Sequence, residues 1–414
     1  MDKHPQNWFY WLNRNAPATG IIVTVVIALS SAGWALHTWQ KSNASLDISG
    51  QVSIGGDVTQ VGGDLIITGD PLDQKTIGHL NSLLDRYRAD LDQRDIELAD
   101  KEALIAQLKA TLELAQKIAA GGDDKLASRA RALLADLGSG SLGAALLPNL
   151  RALIQDYEQG PIKDLVQLHM GEGALTYYGD PQAALAAYRR AHALDPENIV
   201  AINSIGLLEL LFGSLKAAED AFRQVLDLGR FQDDQGAMAV GYGNLGNVAF
   251  KQGDLDAAVD YHNQALALDK ELGSKEGMAT QYGNLGNVAE MRGDLDTAVE
   301  YYNQALALDK ELGSKEGMAT QYGNLGNVAF KQGDLDAAVE YYNQALALDK
   351  ELGRKEGMVL GYANLGLVAF KRGDLLEARQ FWVQARGLFA EMGAQPAVAQ
   401  FDQLLADLEP TAGP

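Results

Sequence analysis

Polar and aromatic side chains recur every 40 residues in the C-terminal half of the chain. Asparagine offers a donor and an acceptor, so one side chain can pair with both groups of a peptide unit. Neighbouring glycine permits close approach, phenylalanine provides apolar pockets and lysine attracts carboxylates. These candidate peptide-binding residues are Asn247, Asn287, Asn327, Gly243, Gly283, Gly323, Phe250, Phe330, Phe370, Lys251, Lys331 and Lys371.

A structural role for the asparagines is the alternative. Asn244 and its copies Asn284 and Asn324 sit further round the helix, where they can satisfy carbonyls between helices. The uniformity of the copies is also open to two interpretations. A periodic ligand requires uniform copies, but recent duplication produces them without any functional meaning.

No residue pattern indicates catalysis or a metal site. The chain has no cysteine, which excludes thiolate zinc sites and cysteine nucleophiles. Its six histidines form no ligand pair at helical spacing, and His262 replaces a tyrosine of equivalent positions, which predicts a packing role. A G-x-G-x-x-G stretch at residues 138–143 follows a helical segment rather than a strand, so we interpret it as a flexible linker. We therefore expect no enzyme, no cofactor and no metal.

Charge argues against nucleic acid as a partner. The formal net charge is -21 over 414 residues, with 47% hydrophobic residues. An acidic chain of this kind repels phosphate, whereas its apolar content is ample for a core.

Residues 16–40 are predicted to cross a membrane, after a short tail at residues 1–15. No formal charge falls between Arg14 and Lys41, and about 20 mostly apolar residues suffice for a spanning helix. Aromatic residues flank the segment as interfacial belts do. A cleaved signal peptide is the alternative, although the apolar run is long for one. Lys3 and Arg14 before the span, against Lys41 after it, favour a bacterial inner-membrane protein with its C-terminal domain in the periplasm.

Two further elements are predicted before the repeats. Residues 44–71 contain short β-prone runs separated by Gly-Gly-Asp, which indicates a small β-rich collar; calcium binding is the alternative. Residues 72–118 carry apolar residues at steps of three and four, which predicts a coiled coil and hence a homo-oligomer. An amphipathic helix folded back on the repeats is the other possibility. Residues 119–158 are expected to be a linker with helices.

Each 40-residue copy is predicted to contain two helices separated by Gly-Asp, as at Gly253-Asp254. The glycine closes the first helix and the aspartate caps the second. Tyr242, Leu245, Gly246 and Ala249 are spaced so that they share one packing face. The candidate peptide-binding residues lie on a second stripe of the same helix.

The order aromatic-x2-Leu-Gly-x2-Ala followed by Ala-x3-aromatic-x2-Ala resembles the tetratricopeptide repeat (TPR). It holds at Tyr282, Leu285 and Gly286 with Ala298 and Tyr302. Six units are expected over residues 159–394, then a capping helix and tail at residues 395–414. In the first unit the Leu-Gly pair is replaced, with Gly171 and Glu172 at those positions. The repeat length is similar to that of kinesin-light-chain-type repeats.

The resemblance implies an all-α, right-handed helical-hairpin solenoid whose concave groove carries the second stripe. It also implies a scaffold that binds protein or peptide partners. The predicted transmembrane helix would hold this scaffold at a membrane, and the predicted collar and coiled coil would make it self-associate. The alternatives are an oligomeric stalk at the membrane and a non-catalytic accessory subunit of a membrane complex.

Overall fold

The computed structural model describes residues 98–121, 124–136, 146–157 and 160–407. Regular structure within these ranges is entirely α-helical, with no strand. The described residues fall into two units, one ending at residue 284 and one beginning at residue 285. The predicted tail, transmembrane helix and β collar, and the first part of the predicted coiled coil, lie outside these ranges, as does the G-x-G-x-x-G stretch. No described helix is both long enough and apolar enough to cross a bilayer.

The first unit consists of three N-terminal helices followed by helical hairpins. Its elements are α1 (Leu98–Ala119), α2 (Asp124–Asp136), α3 (Leu146–Asp156), α4 (Ile162–Thr176), α5 (Pro181–Leu194), α6 (Ile199–Leu211), α7 (Leu215–Gln232), α8 (Gln235–Gln252), α9 (Leu255–Leu272) and α10 (Lys275–Arg292), whose second half belongs to the second unit. The pairs α4–α5, α6–α7 and α8–α9 pack as hairpins.

The second unit has the same helical-repeat architecture. Its further elements are α11 (Leu295–Leu312), α12 (Lys315–Gln332), α13 (Leu335–Leu352), α14 (Lys355–Arg372), α15 (Leu375–Glu391) and α16 (Gln395–Asp407). The pairs α12–α13 and α14–α15 are hairpins, and α16 packs on α15. Phe401 of α16 lies 5.6 Å from Phe389, measured between ring centroids, and thereby covers the last hairpin.

The Gly-Asp breaks behave as the sequence predicts. Gly253 ends α8 in the left-handed region (φ 80°), where a side chain is strained. Asp254 caps α9 by accepting a hydrogen bond from the Ala257 backbone N–H at 3.1 Å. The same arrangement returns at residues 293–294, 333–334 and 373–374.

The Leu-Gly pair of each repeat is explained by close helix packing. A Cβ atom at Gly286 would lie 2.5 Å from the Tyr302 ring, so only glycine admits that fully buried aromatic side chain. His262 occupies the equivalent place against Gly246 and is 1% exposed, which confirms its packing role. Equivalent pairs are Gly206–Phe222, Gly326–Tyr342 and Gly366–Trp382. Full burial of one large apolar side chain contributes roughly 1.5–3 kcal/mol.

The coiled-coil prediction is wrong for the described helix α1. Its seam residues Ile105, Leu108 and Leu112 are buried within the chain, in one cluster with Leu165 and Leu168 of α4. The alternative, a helix folded back on the repeats, is what the structure shows. The physical reason is that the first hairpin of a repeat stack has an uncovered apolar face, and an apolar helical seam from the same chain can cover it.

Polar contacts fix the position of α1 on the first hairpin. The Tyr188 hydroxyl donates to Gln107 Oε1 at 2.8 Å, and Thr111 Oγ1 donates to the Gln167 carbonyl at 2.9 Å. A Cβ atom at Gly171 would lie 2.2 Å from Thr111 Oγ1, so this glycine admits α1 rather than the second helix of its own repeat.

The predicted register of the first repeat is therefore wrong by one residue. Gly173, not Glu172, faces the second helix, since a Cβ atom there would lie 2.6 Å from the Tyr188 ring. Glu172 consequently takes the place that Leu245 has in a later repeat. The turn between α4 and α5 is longer than the turns of later hairpins such as α8–α9. The sequence distance from the packing glycine to the aromatic residue of the second helix also differs from that of the later repeats, on which the prediction depends.

Candidate functional site

The candidate site is a stripe on the first helix of successive repeats, which we call the groove stripe. In the first unit it comprises Gly243, Asn247, Phe250 and Lys251 on α8, with Gly283 on α10. In the second unit it comprises Asn287, Glu290 and Met291 on α10, Gly323, Asn327, Phe330 and Lys331 on α12, and Ala363, Leu367, Phe370 and Lys371 on α14. The helical period brings the members on each helix to one side, as predicted.

The asparagines of the stripe are half-buried and two of them are held by tyrosines. Tyr342 donates its hydroxyl hydrogen to Asn327 Oδ1 at 2.9 Å, whereas the single hydroxyl hydrogen of Tyr302 is shared between Asn287 Oδ1 at 2.8 Å and Glu290 Oε2 at 2.7 Å. The amide oxygen thus helps to join the two helices of its own repeat. The amide NH2 group remains as a hydrogen-bond donor for a ligand, and the bond to the oxygen fixes its orientation.

Asn244, further round α8, makes an inter-repeat contact. Its side-chain nitrogen donates to Asn203 Oδ1 at 2.8 Å, across from α8 to α6. The bond joins two side chains rather than satisfying a backbone carbonyl. A structural contact between helices is the alternative role that the sequence predicts for Asn244 and its copies.

The stripe glycines differ in the space around them. A Cβ atom at Gly323 meets nothing within 4 Å, so this position is open. One at Gly243 would lie 3.1 Å from Gln281 Nε2, so the glycine there serves helix contact. Gly283 is buried. Among these three, Gly323 is the one beside which a ligand could approach the backbone.

The phenylalanines pack against their own repeat and its neighbour. Phe370 is half-buried, and its ring centroid lies 5.9 Å from that of the fully buried Trp382. Phe330 is also half-buried, and Lys371 Nζ lies 4.4 Å from its ring centroid and donates to its carbonyl oxygen at 3.2 Å. Each ring therefore shows only part of its surface to a ligand.

One copy carries an acid where its neighbours carry phenylalanine. Glu290 Oε1 lies 2.7 Å from Lys331 Nζ, and Glu290 Oε2 accepts from the Tyr302 hydroxyl at 2.7 Å. Burial raises the pKa of Tyr302 above its usual value, and the adjacent Glu290 carboxylate adds to that effect. The Lys331 charge is thus compensated within the stripe, so it is not the free attractor of carboxylates that the sequence suggested.

Sequence reasoning missed a further set of residues on the same side. Val240 and Thr320 stand seven residues before Asn247 and Asn327, two helical turns away on one face. Thr320 is exposed, and Val240 is 46% exposed although it is apolar. The seven-residue spacing from the asparagines could have identified them. They extend the stripe toward the start of each first helix.

No cluster of three or more potential metal ligands occurs among the described residues. The chemistry that the groove stripe offers is therefore hydrogen bonding from oriented amides, partial aromatic surfaces and compensated charge.

Two family models match the chain over most of its described hairpins. The MalT-like TPR region matches residues 232–404, and the tetratricopeptide repeat matches residues 175–233. No curated protein sequence matches the chain.

Several solved structures are similar to it. BtubC (BKLC) from P. vanneervenii is 23% identical, with 51% of this chain and 89% of that chain covered and a TM-score of 0.44. The MamA protein is 24% identical, with 45% and 92% covered and a TM-score of 0.33. A Rap protein complexed with Competence and Sporulation Factor is 14% identical, with 81% and 97% covered and a TM-score of 0.48.

Proposed function

Because the chain is a tetratricopeptide-repeat protein across residues 175–404, we propose that it is a non-catalytic scaffold that binds an extended segment of a protein partner along the groove stripe. The repeated hairpin is a fold of protein-interaction scaffolds, and each copy offers similar groups at a regular spacing. An extended peptide matches such a surface because its own backbone groups repeat.

The observation that carries the proposal is the combination of open space at Gly323 with an oriented amide at Asn327. The two residues are one helical turn apart on the same side of α12. Tyr342 already fixes the Asn327 side chain. A ligand carbonyl that accepts from its amide nitrogen therefore costs little additional side-chain entropy. The exposed Thr320 beside them donates its hydroxyl hydrogen to the Glu316 carbonyl at 3.1 Å, which leaves the hydroxyl oxygen as an acceptor for a ligand N–H.

The charges of the stripe favour recognition of the backbone over recognition of an acidic motif. Glu290 compensates Lys331, and Lys371 lies over the Phe330 ring. We therefore expect the partner segment to be extended and the site to accept many sequences. Small or apolar side chains of the segment should lie next to the exposed parts of the phenylalanine rings.

We further propose that residues 16–40 anchor this scaffold in a bacterial inner membrane, with the repeats in the periplasm. The apolar, uncharged run of that segment supports this, as does the count of positive charges on its two sides. A reporter that is active only in the periplasm, fused after Pro414, should be active. An active cytoplasmic reporter at the same place would reverse the orientation.

Self-association is proposed only through residues 44–97. The described seam of α1 is occupied by α4 and therefore cannot also pair with a sister chain. The alternative of an oligomeric stalk loses this part of its support.

Blocking the open position tests the peptide-binding proposal without a large cost in stability. Gly323→Gln places a side chain into free space and improves helix propensity. Partner proteins captured by the full chain from a lysate of its own source, identified by mass spectrometry, should be lost. The matched control is Gly387→Gln on α15, where a Cβ atom also meets nothing within 4 Å.

A second set of variants addresses the amides themselves. Asn247, Asn287 and Asn327 changed together to Ala should lose the same partners, whereas Asn263, Asn303 and Asn343, on the second helices at the same spacing, should tolerate the change. Because Tyr302 and Tyr342 lose an acceptor in the first set, thermal unfolding is compared in parallel. Capture that survives both Gly323→Gln and the groove triple change would refute the proposal.

A further inference from the structure

A cleft lies in the first unit, on helices that carry none of the groove-stripe residues. It has a volume of about 860 Å³ and lies between helices α3, α4 and α5. Arg151 and Ile154 come from α3, Glu172 from α4, and Arg190 and Leu194 from α5. The cleft is thus built by the helix that precedes the first hairpin and by both helices of that hairpin.

A buried carboxylate organises the cations of the cleft. Glu172 is 3% exposed although it occupies a place that is leucine in later repeats. Arg151 Nε donates to Glu172 Oε1 at 2.7 Å, and Arg190 Nη1 lies 3.7 Å from Glu172 Oε2. His169 Nδ1 is 3.4 Å from the same oxygen. One carboxylate therefore faces two guanidinium groups and an imidazole.

Glu172 stays ionised in this setting. Burial alone would raise the pKa of Glu172, but hydrogen bonds from His169 and Arg151 outweigh it and hold the pKa below its usual value. The carboxylate thus acts as a fixed internal counter-ion. It balances one of the two permanent guanidinium charges and leaves the other uncompensated within the cleft.

The remaining positive charge is accessible. The Arg151 and Arg190 side chains keep 48% and 60% of their surface exposed, and Arg190 is beyond hydrogen-bond distance of Glu172. No other carboxylate is among the described residues that line the cleft. In a chain of net charge -21, a locally cationic cleft is an exception to the general charge.

The rest of the cleft is mostly apolar. Ile154, Leu165 and Leu194 contribute aliphatic surface, and Ala183 and Ala186 keep one wall shallow. The cleft therefore places two guanidinium groups next to aliphatic surface. Such a site fits a ligand that has an anionic group at one end and an aliphatic group beside it.

We propose that this cleft binds an aliphatic carboxylate, with the anionic group on Arg190 and Arg151 and the aliphatic group against Ile154, Leu165 and Leu194. Carboxylates are the planar anions that a guanidinium fork binds with two parallel hydrogen bonds. Such a group exists at the C-terminus of a peptide that ends in leucine and in a fatty acid. The site is independent of the groove stripe, because α3, α4 and α5 carry none of its residues.

Binding of small probes to the full chain tests the proposal. The probes are N-acetyl-trialanyl-leucine with a free carboxylate, its C-terminal amide, and octanoate. Isothermal titration should detect the free acid or octanoate, or both, but not the amide. The relative binding of the free-acid peptide and octanoate identifies the source of the carboxylate as a peptide terminus or a fatty acid.

Three variants assign the binding to the cleft. Arg190→Gln should weaken binding at least about tenfold, the effect expected of a lost charge-assisted hydrogen bond. Lys163→Gln on α4 removes the same charge from an exposed residue outside the cleft lining and should leave binding unchanged. Glu172→Gln should strengthen binding severalfold, because it removes the internal counter-ion.

The Glu172→Gln result separates ligand binding from a purely structural role. A structural cluster alone gives no reason for tighter binding of a carboxylate when its own carboxylate is removed. Absence of binding by both acids, equal binding of the amide, or binding that Arg190→Gln leaves unchanged would each overturn the proposal.

Discussion

The first helices of hairpins α4–α5 and α8–α9 carry residues of different chemistry at equivalent buried positions. In α8–α9 the first helix presents Leu245, which is 1% exposed in a cluster with Phe222 and Val248. In α4–α5 the equivalent residue is Glu172, buried among arginines. The same backbone arrangement accepts either residue only because neighbouring helices supply cations in one hairpin and apolar groups in the other.

A buried charge in this fold depends on neighbours outside its own repeat. Arg151 belongs to α3, which precedes the first hairpin, so a 40-residue repeat does not contain the information that makes Glu172 tolerable. The three predictions below test this difference, from the largest expected effect to the smallest.

Leu245→Glu should have the largest effect. The new carboxylate would be buried in the apolar cluster of Ala218, Phe222 and Leu226 without the cations that Glu172 has. An unpaired buried charge costs roughly 3–5 kcal/mol, so the free energy of unfolding in urea should fall by about that amount. Leu245→Met, which conserves volume, should cost less than about 1.5 kcal/mol. A small loss of stability for Leu245→Glu would show that this position accommodates a carboxylate without neighbouring cations, which contradicts the expectation.

Two buried carboxylates of the first unit should respond to pH in opposite directions. Burial raises the pKa of Asp269 to about 6, and a hydrogen bond from Gln281 opposes this only in part. Its folded-state pKa exceeds the unfolded one, so folding binds protons and Asp269 destabilises the chain above pH 6. The pKa of Glu172 is lowered instead, so its contribution is present at neutral pH and is lost on acidification.

Asp269→Asn isolates this effect. Relative to the variant, the unchanged chain should gain stability as pH falls from about 6 to about 4, by about 1–3 kcal/mol. Urea unfolding of both proteins at several pH values provides the difference. A difference that is independent of pH between 4 and 7 would contradict the raised pKa. Glu172→Gln, measured in the same way, should show the reverse slope.

Glu172→Leu should have the smallest effect. It restores the residue of the later repeats, and Arg151 and Arg190 can remain solvated because they are about half exposed. Removal of one partner of a buried ion pair is costly when the charge that remains is buried, and these two arginines are not buried. We therefore expect a change of less than about 1 kcal/mol in the same unfolding assay. A loss above about 2 kcal/mol would mean that the cluster stabilises the hairpin.

Much of the repeat architecture could be predicted from local sequence. Gly253 and Asp254 specify a helix end and a helix start through their own backbone and side-chain properties, so neighbours are not needed. The packing face of Tyr242, Leu245 and Ala249 follows from the helical period, which depends on one helix alone.

The remaining features depend on contacts between distant segments. The α1 seam has the same period whether it meets a sister chain or α4, so spacing cannot choose between them. The bond from Tyr342 to Asn327 is made by residues 15 positions apart on different helices. It changes the role of the asparagine from a free amide to an oriented one, and only the packed hairpin reveals this.

Site-specific cross-linking tests the central claim, that a partner segment lies along the groove stripe. A photoreactive benzoyl-phenylalanine is placed at Thr320, next to Gly323, or at Asn343 on the second helix of the same repeat, and both positions are exposed. After irradiation in cells, mass spectrometry should find one partner segment attached through Thr320 and not through Asn343. Attachment through Asn343 alone, or equal attachment at both positions, would contradict the claim.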